Sequence, residues 1–87
     1  MNSSKPIRLS HHAREQLAFR GTTEEEIGQA IRSAPWQAAE LQRIGCRKNF
    51  LYQQMWHGKL YATKQVRPIF VEERDEIVVV TVYVYYF

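Results

Sequence analysis

The sequence predicts an α+β fold in which two N-terminal helices form a hairpin packed on one face of a three- to four-stranded antiparallel sheet. Three observations predict it. Helix-capping signals and a helical apolar period occupy the first part of the chain, and the period becomes alternating after Trp36. The length of 87 residues makes a single domain, 1–87, which has material for one layer of helix on one layer of sheet.

The elements follow in order. Ser10 suits an N-cap, HHAREQLAFR follows it, and Gly21 supplies the left-handed stop of a helix at about 10–20. Leu9, Ala13 and Leu17 mark its buried stripe, and His12, Gln16 and Arg20 line a neighbouring one. A second helix, at about 23–34, opens with Thr23 and Glu26 as a capping box. Its apolar face is Ile27, Ala30 and Ile31, its first-turn acids suit the helix dipole, and Pro35 ends it. Residues 36–41 read either as a short strand or as an irregular crossing.

Strands are expected at about 48–56, 59–71 and 76–86. His57-Gly58 reads as a two-residue hairpin loop, which sets Tyr52 opposite Thr63 and Gln54 opposite Tyr61. Pro68 marks a bulge or an edge. In the last strand the even positions, Val78 to Tyr86, are expected under the helices, and the odd Thr/Tyr positions on the opposite surface.

Composition sets outer bounds on function. A chain that is 45% hydrophobic and 24% charged has the make-up of a folded domain rather than a disordered one. A lone cysteine, Cys46, makes no internal disulfide, so a reducing cytoplasm is expected. The N-terminus lacks a secretory apolar stretch, and the apolar run from Ile77 to Phe87 falls short of the ~18 residues that span a bilayer. No membrane association is therefore expected. His11 and His12 are adjacent and point about 100° apart on a helix, so they do not share a metal. No phosphate loop or other cofactor motif occurs, so neither metal nor cofactor is expected. The net charge of +3 gathers as base in the middle of the chain, at Arg43, Arg47, Lys48, Lys59, Lys64 and Arg67, where a polyanion would dock.

Five residues could carry chemistry on a phosphodiester. His12 lies in the first turn of the first helix, where the dipole favours a neutral imidazole able to take a proton from a ribose hydroxyl. The plainer reading makes it a cap or a packing residue. Arg20, two turns along the same stripe, either binds phosphate or satisfies carbonyls at the helix end. Arg67 is held extended by Pro68 and offers a fork for phosphate or for an acidic neighbour. Thr81 is either a β-former or a hydroxyl facing a cleft. Tyr83 and Tyr85 either stack bases or cover a core edge. Arg43, Arg47, Lys48 and Lys64 complete the RNA-binding set, with a solvated basic face as the plainer reading of Arg47 and Lys48.

Ser10-His11-His12-Ala13-Arg14, then Arg20-Gly21-Thr22 and Glu24-Glu25-Glu26-Ile27, resemble the opening of the domain-of-unknown-function family 4258. The close, Ile77 to Tyr83, resembles that family's final strand. The resemblance covers about Ile7 to Phe87. It implies a RelE/barnase/colicin-like fold, the scaffold of bacterial toxin-type ribonucleases. It further implies metal-independent RNA cleavage by 2′-hydroxyl attack, with His12, Arg20, Arg67, Thr81 and Tyr83 as the site and Thr81 or Tyr83 orienting the phosphate or donating a proton. A toxin of that type has an antitoxin protein as partner and is a monomer or a homodimer. The alternative is a non-catalytic module that binds RNA or protein.

Overall fold

The computed structural model describes residues 4–87. The chain opens with β1 (Ile7–Leu9), which runs directly into α1 (His11–Arg20), and α2 (Glu24–Ser33) follows. A small hairpin of β2 (Gln37–Ala38) and β3 (Ile44–Gly45) encloses a tight 3-10 turn, Glu40–Gln42. Three longer strands complete it: β4 (Lys48–Trp56), β5 (Lys59–Glu72) and β6 (Ile77–Tyr86). The α+β class is as expected, but the sheet is larger and mixed. Among the described residues it has six strands in the order β1-β6-β5-β3-β2, with β4 following β3 along the same edge of β5.

The extra strands are the shortest ones: β2 falls within residues 36–41, where a short strand is one of the two readings, while β1 and β3, of three and two residues, carry no readable period. β1 pairs parallel with the start of β6, Ile7 opposite Ile77 and Leu9 opposite Val79, where pure antiparallel pairing was expected. Ser10 then serves the sheet and the helix together. Its amide donates to the Val79 carbonyl at 2.9 Å, and its hydroxyl oxygen accepts from the Ala13 amide at 3.1 Å. Such a cap stabilises a helix by about 1 kcal/mol. Thr23 caps α2 in the same way, accepting from the Glu26 amide. The Glu26 carboxylate faces Thr22 and Lys64, accepting from the Thr22 hydroxyl at 3.0 Å.

Both helices bury their apolar stripes against one face of the sheet. Ala13, Ile27, Ala30 and Ile31 meet Val66, Phe70, Ile77, Val79 and Val82, all fully buried. Trp36 packs edge-on against Phe70, its indole N–H donating to the Ile31 carbonyl at 2.9 Å. Cys46 belongs to this core, and burial pushes its thiol up to about 11, so it packs as an apolar group. Among the described residues no helix is long and apolar enough to cross a membrane.

Two bulges correct the expected registers. In β6 the pairing with β5 shifts between Ile69 and Phe70, leaving Val80 as the extra residue. Ile77 and Val79 therefore face the helices before it, and Val82, Val84 and Tyr86 after it; the even-numbered face holds only for the second half. In β4 a bulge at Tyr52-Gln53, with Gln53 at φ 49°, puts Leu51 opposite Thr63 and keeps Gln54 opposite Tyr61. The hairpin loop His57-Gly58 has positive φ at both residues, as its primed-turn geometry demands.

Pro68 is expected at a bulge or an edge; β5 runs through it unbroken, and the register shift falls one residue further on, between Ile69 and Phe70. Its carbonyl accepts from the Cys46 amide, so its missing N–H also points to the edge where β3 gives way to β4. The reciprocal bond, from residue 68 to the Cys46 carbonyl, is the one a proline cannot make, and it falls in the gap between the two strands.

Gly21 closes α1 at φ 75°, and a Cβ at that position would lie 2.6 Å from the Trp56 ring and press on the Tyr86 hydroxyl. Tyr86 stacks on Trp56 with ring centroids 4.8 Å apart, and its hydroxyl donates to the Arg20 carbonyl at 2.7 Å. Burial first, then Tyr52 and the Glu26 carboxylate, push the Tyr86 phenol up to about 12.

Two outcomes are expected. Gly21→Ala combines left-handed strain with overpacking and should lower stability by about 2–4 kcal/mol, read from urea unfolding. The folded protein holds the Tyr86 proton more tightly than the unfolded chain, whose phenol sits at 10.0. Its contribution is therefore complete below about pH 10 and is lost as the pH rises through about 12. Unfolding free energies across that range should fall more steeply for the wild type than for Tyr86→Phe.

Candidate functional site

The candidate site lies on the sheet face turned away from the helices. Alternation along β5 and β6 places Arg67 opposite Tyr83 and Ile69 opposite Thr81 on that face. The β2–β3 hairpin adds Ala39, Glu40, Leu41 and Arg43, and together these residues line a cleft of about 310 Å³. Three of the five expected catalytic residues, Arg67, Thr81 and Tyr83, therefore share one cleft.

Arg20 joins them from the helix layer. Its guanidinium carbon lies 5.7 Å from the centre of the Tyr83 ring, and that of Arg67 lies 5.8 Å from the same ring. Two cations gathered on one aromatic ring form an anion-binding feature when no acid neutralises them. Neither arginine, nor Arg43, forms an ion pair among the described residues.

Gln16 explains how a helix on one face reaches the other. Beyond the end of β1 the edge of β6 is open, and the buried Gln16 side chain seals it. Its Oε1 accepts from the Val82 amide at 2.9 Å and lies 2.8 Å from Thr81 Oγ1. An amide N–H can only donate, so that atom is the carbonyl oxygen, and Thr81 must be the donor in the second bond. The Thr81 hydroxyl proton is thus committed to Gln16. Toward the cleft Thr81 offers lone pairs alone, which removes it as the group that would donate a proton to a phosphate.

His12 lies one turn before Gln16 on the same stripe, with its side chain exposed and outside the residues that line the cleft. Its neighbour His11 pairs with Glu15. The expected stripe His12-Gln16-Arg20 does run along the edge of β6; none of the three lines the cleft, but Gln16 bonds Thr81 and Arg20 lies over the Tyr83 ring, both of them cleft residues.

The expected basic set divides. Arg43 lines the cleft. Arg47 is exposed at the break between β3 and β4, and Lys48 leans over the Phe50 ring, so neither lines it. Tyr85 is exposed on the outer face, opposite Gln65. Lys64 is a correction. It lies beneath the helices, 7% exposed, paired with Glu26 at 2.9 Å and donating to the Gly21 carbonyl at 2.9 Å. Its inward register, paired with Tyr86 across the sheet, makes it a structural cation.

Two contributors escaped the sequence reading. Gln16 read only as part of a polar stripe, since nothing local shows that β6 has an open edge. Glu40 lies within residues 36–41, which read either as a short strand or as an irregular crossing. Among the described residues no group of three His, Cys, Asp or Glu side chains is placed to hold a metal ion.

Comparison with family models, with curated proteins and with solved structures finds no match for this chain.

Gln16→Ala would leave the Val82 amide and the Thr81 hydroxyl without their shared acceptor and should cost about 2 kcal/mol, measured by urea unfolding. Arg20→Ala, which removes a guanidinium from a half-exposed position, should change stability by less than about 1 kcal/mol.

Proposed function

We propose that this chain is a toxin-like RNA-binding protein that grips a phosphodiester of single-stranded RNA at its outer sheet face. The observation that carries the reading is the unneutralised pair of guanidiniums, Arg20 and Arg67, on the Tyr83 ring at the cleft. Guanidinium forks match phosphate oxygens in pairs, and exposed aromatic rings such as Tyr85 offer stacking platforms to unpaired bases. A helix pair packed on a sheet of largely antiparallel strands is consistent with the α+β scaffold that the resemblance to family 4258 and the RelE-like group implies. On that resemblance the proposed setting is the cytoplasm, and the proposed protein partner is an antitoxin.

Cleavage is the second reading, and His12 carries it. The imidazole would take the proton from the ribose O2′, O2′ would bond to phosphorus, and the P–O5′ bond would break. A 2′,3′-cyclic phosphate and a free 5′-hydroxyl result. Arg20 and Arg67 would stabilise the charge on the phosphorane, and the Tyr83 hydroxyl, the neutral donor left once Thr81 is committed, would protonate O5′. Binding is favoured over cleavage because His12 stands outside the residues that line the cleft.

Anisotropy titrations with a labelled single-stranded RNA should show affinity falling steeply as salt rises. Arg67→Ala should weaken binding and reduce the logarithmic salt slope by about 1. A salt-independent affinity, or none, would refute the binding reading. For the second reading, RNA incubated with excess chelator should yield cyclic-phosphate ends from the wild type and none from His12→Ala. RNA left intact by the wild type would leave a binding protein without catalysis.

A further inference from the structure

We propose that this chain pairs with a second copy of itself through the open edge of β4, the two strands running antiparallel about a two-fold axis at Leu51. The inference goes beyond RNA binding and does not rest on it.

The first argument is the backbone. Among the described residues β4 pairs with β5 alone, which leaves its other edge free. Thr63 and Phe87 exchange both of their backbone bonds, at 2.8 and 3.0 Å. Bonded sides alternate along an antiparallel strand, so Thr63 turns neither its N–H nor its C=O toward Leu51, its partner in β4. The Leu51 N–H and C=O, and by the same alternation those of Asn49, therefore point to the open edge. Edge strands are ordinarily guarded by charges, by proline or by a bulge. Lys48–Trp56 holds one charge, Lys48, and no proline, and its bulge at Tyr52-Gln53 comes after Asn49 and Leu51.

The second argument is what fits that edge. Centred on Leu51, the ladder sets Leu51 against Leu51 of the second copy, and this side chain is 81% exposed in the single chain. It also sets Phe50 against Tyr52, both half-buried, and Asn49 against Gln53. Apolar, aromatic and amide side chains each meet their own kind. Lys48 stands opposite Gln54, and the two Lys48 lie six residues apart along the seam, about 20 Å at ~3.4 Å per residue. At that distance salt screens them from one another. An uncharged row selects neither an acidic nor a basic partner, whereas a second copy matches it residue by residue. β4 ends level with Cys46 of the second copy, short of that copy's β3.

The third argument is charge on the competing surface. Stacking two copies by their outer faces would oppose the unpaired Arg20, Arg43 and Arg67 to a second such set. Edge pairing keeps both outer faces open, on the same side of one joined sheet. The seam takes about five residues from each chain, against the roughly 20–30 a side of a standard interface, so the dimer is weak and forms by mass action.

Sedimentation equilibrium of the full chain without RNA reads this assembly. The mass should rise from one chain toward two between about 10 μM and about 1 mM. Leu51→Lys sets two cations across the axis, on Cα atoms about 5.5 Å apart, and should hold the protein as a monomer throughout. Its thermal midpoint should stay close to that of the wild type, because the replaced side chain is exposed. Phe19→Lys, at an equally exposed apolar position on α1, should assemble like the wild type. A wild type that stays monomeric at the highest concentration would overturn the proposal and leave the edge to an extended segment of another protein. A dimer that survives Leu51→Lys, or that Phe19→Lys abolishes as well, would overturn the seam.

Discussion

The structure turns on one side-chain oxygen. Gln16 Oε1 accepts from the Val82 amide and from the Thr81 hydroxyl, closing the edge of β6 that the three-residue β1 leaves open. An unpaired strand edge is a liability, and a buried amide without an acceptor costs about 1–3 kcal/mol. The bond also has geometric consequences. It holds α1 against the rim of the sheet, so that Arg20, one turn further on, reaches the Tyr83 ring on the other face. It also settles the direction of the Thr81 proton. A stability contact and the chemistry of the candidate site thus share an atom.

A second cluster sets the far end of α1. Lys64, Glu26 and the Gly21 carbonyl form a buried polar knot, and Trp56 and Tyr86 press on Gly21 from the hairpin side. Lys64 carries a charge that is costly to bury unless paired, and here it has a carboxylate, a carbonyl and the Tyr52 ring. With α1 held by Gln16 midway and by this knot at its end, the position of Arg20 follows. On the helix side Lys64 is paired with Glu26, whereas Arg20, Arg43 and Arg67 form no ion pair among the described residues. That contrast is the basis of the functional reading.

Legibility in the sequence varied with range. The caps at Ser10 and Thr23, the stop at Gly21 and the loop at His57-Gly58 depend on residues within a turn of one another, and each was readable. The stripe through His12, Gln16 and Arg20 was readable as a stripe, but its neighbour across space was not. Lys64 looked like part of a basic surface because its charge is local information and its pairing with Glu26 is not. In β6 the valines at 78 and 80 look the same as those at 79 and 82. Only the bulge, a feature of pairing with β5, decides which pair lies under the helices.

By itself the sequence determined the class of the fold, the helix ends, the tight hairpin and the types of side chain available for phosphate, because each depends on local propensity and short-range periodicity. Tertiary structure alone decided that β1 runs parallel to β6, that two bulges shift the sheet's faces, and that Arg20 and Arg67 meet at Tyr83. It alone decided that Lys64 is buried and that Glu40 lines the cleft. These depend on which strands become neighbours and which polar groups find partners there, and those choices are made by packing and hydrogen-bond satisfaction across the whole chain.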